Sequence, residues 1–209
     1  MNYDNCTLEE AMKWQRTDYI PKIGLNCNSV GWIQRSILIN ENFNKKILDV
    51  ACGNGLCIDN GVINGKKIKS ELYTGIDVSQ VLIEAAKIFY PDYLFECGNA
   101  TNLPYNDNTF QCSISVSLLE HLPTITDCQK VLLEMFRVSQ ESIYISWHHA
   151  PGNFKTTYNI VEKCFFGTNT YSNRYNLYEL MNDVYPIDKI QILYKNNTGE
   201  VWKLKKLNC

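Results

Sequence analysis

The sequence lacks the features that mark membrane-anchored and secreted proteins. No apolar run approaches the roughly 18 residues that a membrane-spanning helix needs. The opening MNYDNCTLEE is acidic and polar, unlike a secretory or mitochondrial leader. The nine cysteines are scattered and form no CxxC pair, so they indicate neither a disulfide framework nor a zinc site. We therefore expect a cytoplasmic protein without a membrane anchor and without a bound metal.

The chain also lacks an excess of charge of either sign. Its 20 Lys and Arg residues face 22 Asp and Glu residues, which gives a formal net charge of −2. Because a nucleic-acid-binding surface is usually basic, we expect no nucleic-acid partner. With 209 residues, 45% of them hydrophobic, the chain has enough apolar material for one folded domain. Nothing in the sequence predicts an oligomeric state.

From Lys45 onward, short apolar runs alternate with amphipathic segments. The amphipathic segments predict helices that begin after Ser79, after Thr126 and near Tyr175. The last two strands flank Asn196-Asn197-Thr198-Gly199, a hairpin signal. The predicted strands lie at 47–50, 71–77, 93–97, 110–116, 143–146, 187–194 and 200–207. This pattern predicts an α/β fold, a doubly wound, mostly parallel seven-stranded sheet with an antiparallel C-terminal strand.

Residues 1–44 predict a helical cover ahead of the sheet. Thr7-Leu8-Glu9-Glu10 is a capping box that begins a helix extending to about Tyr19, and a second helix is predicted over 29–39. No linker rich in Pro, Gly or Ser divides the chain. We therefore expect a single domain over 1–209, with a helical cover at 1–44 and an α/β core at 45–209.

The stretch ILDVACGNG, residues 47–55, is the first candidate ligand site, because a predicted strand is followed there by a turn that contains two glycines. In open parallel sheets, ligands bind at the carboxyl ends of the strands. A dinucleotide fingerprint would need a third glycine, and that position holds Leu56 or Ile58, depending on the alignment. The Gly-Lys-Ser/Thr ending of a phosphate loop is also missing. The turn therefore predicts a ligand without a phosphate group.

Four motifs, in this order over about residues 45–122, resemble those of the class I S-adenosylmethionine-dependent methyltransferases. ILDVACGNG is similar to their DxxCGxG loop, and YTGIDVS to the acid that ends their second strand. NATNLPYNDNTF is similar to their DAxxLPFxDxxF segment, and SVSLLEHL to the LEHL that follows the fourth strand. The resemblance implies a Rossmann-like methyltransferase fold, with S-adenosylmethionine as cofactor and S-adenosylhomocysteine as product.

The resemblance also implies a cofactor site along the ends of the first four strands. It gives Asp49 a role toward the methionine ammonium, often through water, and Asp77 a role toward the ribose hydroxyls. Gly53 and Gly55 lack side chains where the backbone must come close to the cofactor. Asn99, where the family usually has Asp, would meet the adenine edge. The predicted cofactor-binding residues are Asp49, Ala51, Gly53, Gly55, Asp77, Val78, Asn99, Ala100, Ser117 and Leu118.

Three histidines are the candidate catalytic residues. A general base is needed only when the methyl acceptor must lose a proton before or during attack. His121 lies in LLEHL, where a packing role is the alternative, and His148 and His149 follow the fifth strand. Adjacent histidines point apart and no third ligand is evident, so the pair does not predict a metal site.

Methyl transfer to a small-molecule acceptor by in-line displacement is the leading hypothesis, because the chain is short and its charge is balanced. Methylation of a protein or tRNA is the first alternative, and it would call for a basic groove. A non-catalytic protein that binds S-adenosylmethionine is the second, and Gln111, where the family has an acid, keeps it open. The glycine spacing argues against a nicotinamide-dependent reductase.

Overall fold

The computed structural model describes residues 7–13, 44–55, 57–58, 68–148, 158–163, 169–174, 177–195 and 199–207. Its α-helices are α1 (Leu8–Lys13), α2 (Gln80–Phe89), α3 (Ile125–Val138) and α4 (Leu177–Met181). Its strands are β1 (Ile47–Val50), β2 (Tyr73–Asp77), β3 (Leu94–Cys97), β4 (Phe110–Ser115), β5 (Ser139–His148), β6 (Tyr158–Lys163), β7 (Asn169–Arg174), β8 (Gln191–Lys195) and β9 (Gly199–Lys205). Short 3-10 turns occupy Ser70–Leu72, Leu119–His121 and Ile187–Lys189.

Seven of these strands form one twisted sheet in the order β3-β2-β1-β4-β5-β9-β8. The five strands from β3 to β5 are parallel. Strand β9 runs antiparallel to both of its neighbours, β5 and β8. The predicted α/β sheet with an antiparallel C-terminal strand is therefore confirmed. Because parallel strands need crossover connections, the helices lie between them in sequence and pack on the faces of the sheet.

Both faces of the sheet are buried at its central strands β1, β2 and β4, which explains the apolar run of β1, whereas the edge strands β3 and β8 are largely exposed. On one face, Leu48 and Val50 belong to a cluster with the apolar side of α3. On the other face, Ile47 and Tyr73 pack with residues of α2. Trp202 of β9 is 1% exposed and belongs to the α3 side, so the antiparallel strand is part of the core.

Two helix starts test the predicted caps. Ser79 caps α2 as predicted, because its side chain accepts a hydrogen bond from the Leu82 N–H. The predicted cap of α3 at Thr126 is wrong, since the helix begins two residues earlier. Thr124 is extended and its hydroxyl accepts from the Asp127 N–H at 3.1 Å. The sequence signal was a capping box, Thr124 with Asp127 at the third helical position.

Only the beginning of the predicted N-terminal cover, residues 7–13, lies within the described part of the chain. Helix α1 begins directly after Thr7, as predicted, and the Thr7 carbonyl accepts from the Ala11 N–H. Ala11 is fully buried against Leu82 and Ala85 of α2, which fixes this end of the cover beside the sheet. The predicted extension of the helix to Tyr19 and the second helix at 29–39 lie outside the described residues.

Strand boundaries differ from the predicted ones where polar residues interrupt or extend a pattern. The second strand starts at Tyr73, since Ser70–Leu72 forms a turn, and β8 starts at Gln191 after the turn Ile187–Lys189. A separate two-stranded antiparallel sheet of β6 and β7 was not predicted. Its sequences YNIVEK and NTYSNR are rich in Asn and other polar residues, and so carry little strand signal. No described helix is long and apolar enough to cross a bilayer.

The cap of α3 gives a direct test of the helix start. Thr124→Ala removes the acceptor for the Asp127 N–H and should lower the free energy of unfolding by about 1 kcal/mol. Thr126→Ala, an exposed position inside the helix, should change it by less than about 0.5 kcal/mol. Urea unfolding of the two variants checks this order, and a larger loss in Thr126→Ala would contradict the assigned cap.

Candidate functional site

The candidate site lies at the edge of the sheet where the parallel strands end. The loop 51–55 follows β1, Val78 follows β2, Gly98 and Asn99 follow β3, and 116–118 follow β4. Carboxyl ends of neighbouring parallel strands meet at the same edge, so these segments converge in space. Most of the residues that were predicted to bind the cofactor therefore lie at this edge of the sheet, and their surroundings are described below.

The loop after β1 has three residues in the left-handed region, with φ of 60° at Ala51, 58° at Gly53 and 87° at Gly55. The two glycines have different surroundings. A Cβ added to Gly53 would meet no atom of the described residues within 4 Å, whereas one added to Gly55 would lie 2.8 Å from the Tyr90 ring. Gly53 thus leaves open space beside the loop, and Gly55 makes room for an aromatic side chain. Ala51 adopts a conformation that costs a residue with a Cβ roughly 1–2 kcal/mol.

Asp77 connects this loop to the start of α2. Its Oδ2 accepts from the Gly53 N–H and its Oδ1 accepts from the Ser79 N–H, each at 2.9 Å. The side chain is buried, with 8% of the residue exposed. Burial raises the pKa of Asp77, and hydrogen bonds from the backbone of Ser79, Gly53 and Val78 act in the opposite direction. The carboxylate therefore lies beside the open space at Gly53 and holds the loop in place.

Asp49 lies deeper, one residue before the end of β1, and is 1% exposed. Its Oδ2 accepts from the Tyr73 hydroxyl at 2.6 Å. Burial, together with the charge of Asp49, raises the pKa of the Tyr73 hydroxyl well above its usual range. Tyr73 was not among the predicted site residues, because the sequence does not show that its side chain reaches Asp49 on the neighbouring strand.

Asn54 connects the loop to the N-terminal helix. It is fully buried, and its Nδ2 donates to the Ala11 carbonyl at 2.9 Å. Asn54 was also not predicted, because an asparagine between two glycines gives no hint of a partner 43 residues away. Helix α1 is therefore bound to the same loop that Asp77 holds.

The turn after β3 is organised by Asn99. Its Oδ1 accepts from both the N–H and the hydroxyl of Thr101 at 2.9 Å, and the side chain is exposed. Ala100 is half-buried. Asn99 therefore lies at the edge where the adenine contact was predicted, and its oxygen shapes the turn.

The segment that follows, LPYND, is clamped by α3. The Arg137 guanidinium donates to the carbonyls of Leu103 and Tyr105 at 2.9 and 2.7 Å. Glu134 accepts from the Leu103 N–H at 2.7 Å and pairs with Arg137. The hydrogen bond from Arg137 lowers the pKa of Glu134. Glu134 and Arg137 were missed, although acid and base at positions i and i+3 of a helix are a recognisable pair.

At the end of β4, Ser117 is left-handed with φ of 58°, and its N–H donates to the Ser146 hydroxyl at 2.7 Å. Leu118 is half-buried, as is His121 in the turn Leu119–His121. His148 is the last residue of β5, and its side chain lies outside the described part of the structure, as does all of His149. Of the three candidate bases, only His121 is therefore placed, at the edge of the sheet near the loop ends.

The described residues fit an adenosine-like ligand. Open space beside Gly53 adjoins a buried carboxylate, and Val78, next to that carboxylate, is 65% exposed. A carboxylate can accept from ribose hydroxyls, and an exposed aliphatic side chain offers a surface for a flat base. Within the ranges that the structure describes, no three His, Cys, Asp or Glu residues form a group that could hold a metal ion.

The chain is similar in sequence to methyltransferases. Residues 48–144 match the family model described as "Methyltransferase domain". The chain is 31% identical over 97 residues to norajmaline N-methyltransferase of Rauvolfia serpentina, which covers 46% of this chain and 32% of that protein. It is 27% identical over 115 residues to tRNA (carboxymethyluridine(34)-5-O)-methyltransferase of Saccharomyces cerevisiae, which covers 53% of this chain and 38% of that protein. The chain thus spans less than half the length of these two curated relatives.

Among solved structures, the fold is similar to magnesium protoporphyrin IX methyltransferase from Synechocystis PCC 6803 with bound S-adenosylmethionine. The TM-score is 0.60 at 14% sequence identity, and the match covers 98% of this chain and 94% of that one. At this identity the likeness shows the fold.

The different surroundings of the two loop glycines predict different costs of substitution. Gly53→Ala and Gly55→Ala should each lower the free energy of unfolding by about 1–2 kcal/mol, because both positions are left-handed. Gly55→Ala should lower it by about 1–3 kcal/mol more, because the added Cβ must displace Tyr90. Denaturant unfolding measures both, and a loss in Gly53→Ala equal to that in Gly55→Ala would contradict the open space beside Gly53.

Proposed function

We propose that the chain is a class I S-adenosylmethionine-dependent methyltransferase, which binds S-adenosylmethionine and transfers the methyl group to a small-molecule acceptor. Its four sequence motifs and the match of residues 48–144 to the methyltransferase domain support this proposal. The observation that carries the proposal is the open space beside Gly53, which adjoins the buried Asp77 carboxylate within the matched region. The absence of a charge excess supports a small acceptor over a polyanionic one.

Each described residue then has a specific task. Asp77 would accept hydrogen bonds from the ribose hydroxyls while keeping its two backbone partners, since each carboxylate oxygen has two lone pairs. Gly53 would let the loop backbone come close, and Val78 with Ala100 would flank the adenine. Asp49 would face the ammonium end of the cofactor.

The cofactor, when bound, supplies a methyl group already activated on a sulfonium. The chain's own residues then have to hold the acceptor in line with that group and exclude water. Ser117 and Leu118, at the end of β4, would line the methionine portion, and α1 would cover the loop through Asn54. His121 would take a proton from an acceptor that must lose one, and His148 and His149 are the other candidates for that role.

Methylation of tRNA is the second candidate, and the 27% identity to the yeast tRNA methyltransferase favours it. A tRNA substrate must be bound through its phosphates, so its affinity would fall steeply as salt increases. Salt-independent or absent binding of bulk tRNA would leave the small-molecule acceptor as the better account.

The most informative experiment incubates the protein with S-adenosylmethionine labelled in the methyl group and a fractionated cell extract. Label in a small-molecule fraction supports the proposal, and label in RNA or protein supports a macromolecular acceptor. Tight binding of S-adenosylmethionine without transfer to any fraction would indicate a non-catalytic binding protein, and absence of binding would refute the proposal.

Asp77 provides the matching test of the cofactor site. Asp77→Asn removes the charge that accepts from the ribose and should weaken S-adenosylmethionine binding by about 10-fold or more, as expected for hydrogen bonds to a charged group. Asp92→Asn is the control, because Asp92 is exposed and precedes β3 at the opposite edge of the sheet. Calorimetric titration of both folded variants measures the difference. Equal affinities would contradict the role of Asp77.

A further inference from the structure

The buried pair of Tyr73 and Asp49 has a geometry that suggests more than packing. The Tyr73 hydroxyl donates to Asp49 Oδ2 at 2.6 Å, and the two residues are 2% and 1% exposed. A buried carboxylate is costly unless it is hydrogen-bonded, and a phenol is a strong neutral donor to it. Because burial and the Asp49 charge raise the pKa of the Tyr73 hydroxyl, the hydroxyl keeps its proton and remains a donor.

The sheet register explains how the two groups meet. Tyr73 is the partner of Ile47 on the neighbouring strand, and Asp49 is the partner of Gly75. Since Gly75 has no side chain, no β2 residue stands directly beside the carboxylate, and the long Tyr73 side chain on the same face reaches it. A Cβ at Gly75 would lie 2.8 Å from the sulfur of Cys52 and from the Phe95 ring.

The Tyr73 ring is held on two sides. Tyr93 and Phe95 contact it edge to face, with ring centroids 5.7 and 5.8 Å away. These contacts restrict the ring and therefore the position of its hydroxyl. The hydrogen bond from that hydroxyl in turn restricts the rotation of the Asp49 carboxylate.

We infer that Tyr73 is a positioning residue that orients the Asp49 carboxylate toward the amino-acid end of the cofactor. The inference rests on the proposed function, since it assumes that Asp49 faces the ammonium group. Its consequence is selective: Tyr73 contributes to the binding of ligands that carry the amino-acid end and not to the binding of the adenosine portion.

Two unreactive ligands separate these contributions. S-Adenosylhomocysteine carries both the adenosine and the amino acid, whereas 5′-methylthioadenosine lacks the amino acid. Tyr73→Phe keeps the ring and removes only the hydroxyl. This variant should lower the affinity for S-adenosylhomocysteine by about 10-fold, as expected for one lost hydrogen bond to a charged group. It should change the affinity for 5′-methylthioadenosine by less than about twofold.

Tyr93→Phe is the matched control. The Tyr93 hydroxyl belongs to the same aromatic cluster and is also buried, but it donates to the Ile68 carbonyl at 2.7 Å. We expect this variant to leave the ratio of the two affinities unchanged. Because the readout is a ratio within one protein, a loss of stability in either variant affects both ligands alike.

Asp49→Asn completes a double-mutant cycle. In that background, Tyr73→Phe should no longer change the affinity ratio, because the charged partner is gone. Equal weakening of both ligands by Tyr73→Phe, an unchanged ratio, or an effect that persists with Asp49→Asn would each overturn the inference while the proposed function stands. Failure of the unaltered protein to bind either ligand would overturn both.

Discussion

One buried carboxylate connects the separate segments that form the site. Asp77 accepts from the Gly53 N–H and from the Ser79 N–H, and so joins the loop after β1 to the residue that caps α2. The Cys52 N–H, which donates to the Ile76 carbonyl at 3.1 Å, adds a second link between the same two strands. These contacts, together with the hydrogen bond from Asn54 to helix α1, hold the loop with its three left-handed residues. The backbone N–H donors offset part of the cost of burying the Asp77 charge, and burial still raises the pKa of Asp77.

The two halves of the site are built differently. The half that we propose to bind the cofactor is made of backbone donors, a left-handed loop and carboxylates fixed by β1 and β2, and the Arg137–Glu134 pair of α3 supports it. The other half includes the end of β4 and the end of β5, with Ser146 holding Ser117 across the two strands. This division suits the proposed function, in which a constant cofactor is combined with a variable acceptor, because function on common folds is distributed in this way.

Much of the fold could be predicted from sequence, because buried strands are apolar runs and parallel sheets demand crossover helices. The hairpin of β8 and β9 was visible in its turn residues, and Ser79 in its capping position. What could not be predicted depends on partners far apart in sequence, such as Tyr73 beside Asp49, or Arg137 on the Leu103 and Tyr105 carbonyls. The polar strands β6 and β7 carry no apolar alternation, so their pairing is invisible until the tertiary structure brings them together. Likewise, the pattern marked Gly53 and Gly55 equally, and only the neighbours in space separate an open position from a packed one.

The place of β9 has a consequence for how the chain assembles. This strand inserts between β5 and β8, which precede it in sequence, so β8 cannot join the sheet by pairing with β5. Until β9 is present, the hydrogen-bonding groups of β5 form an open edge, the kind of edge that invites pairing with another chain. Pairing of β9 with β5 joins residues more than 50 positions apart in sequence, and contacts of such separation form slowly. The antiparallel strand therefore covers an edge of β5 that would otherwise be open to pairing with another chain.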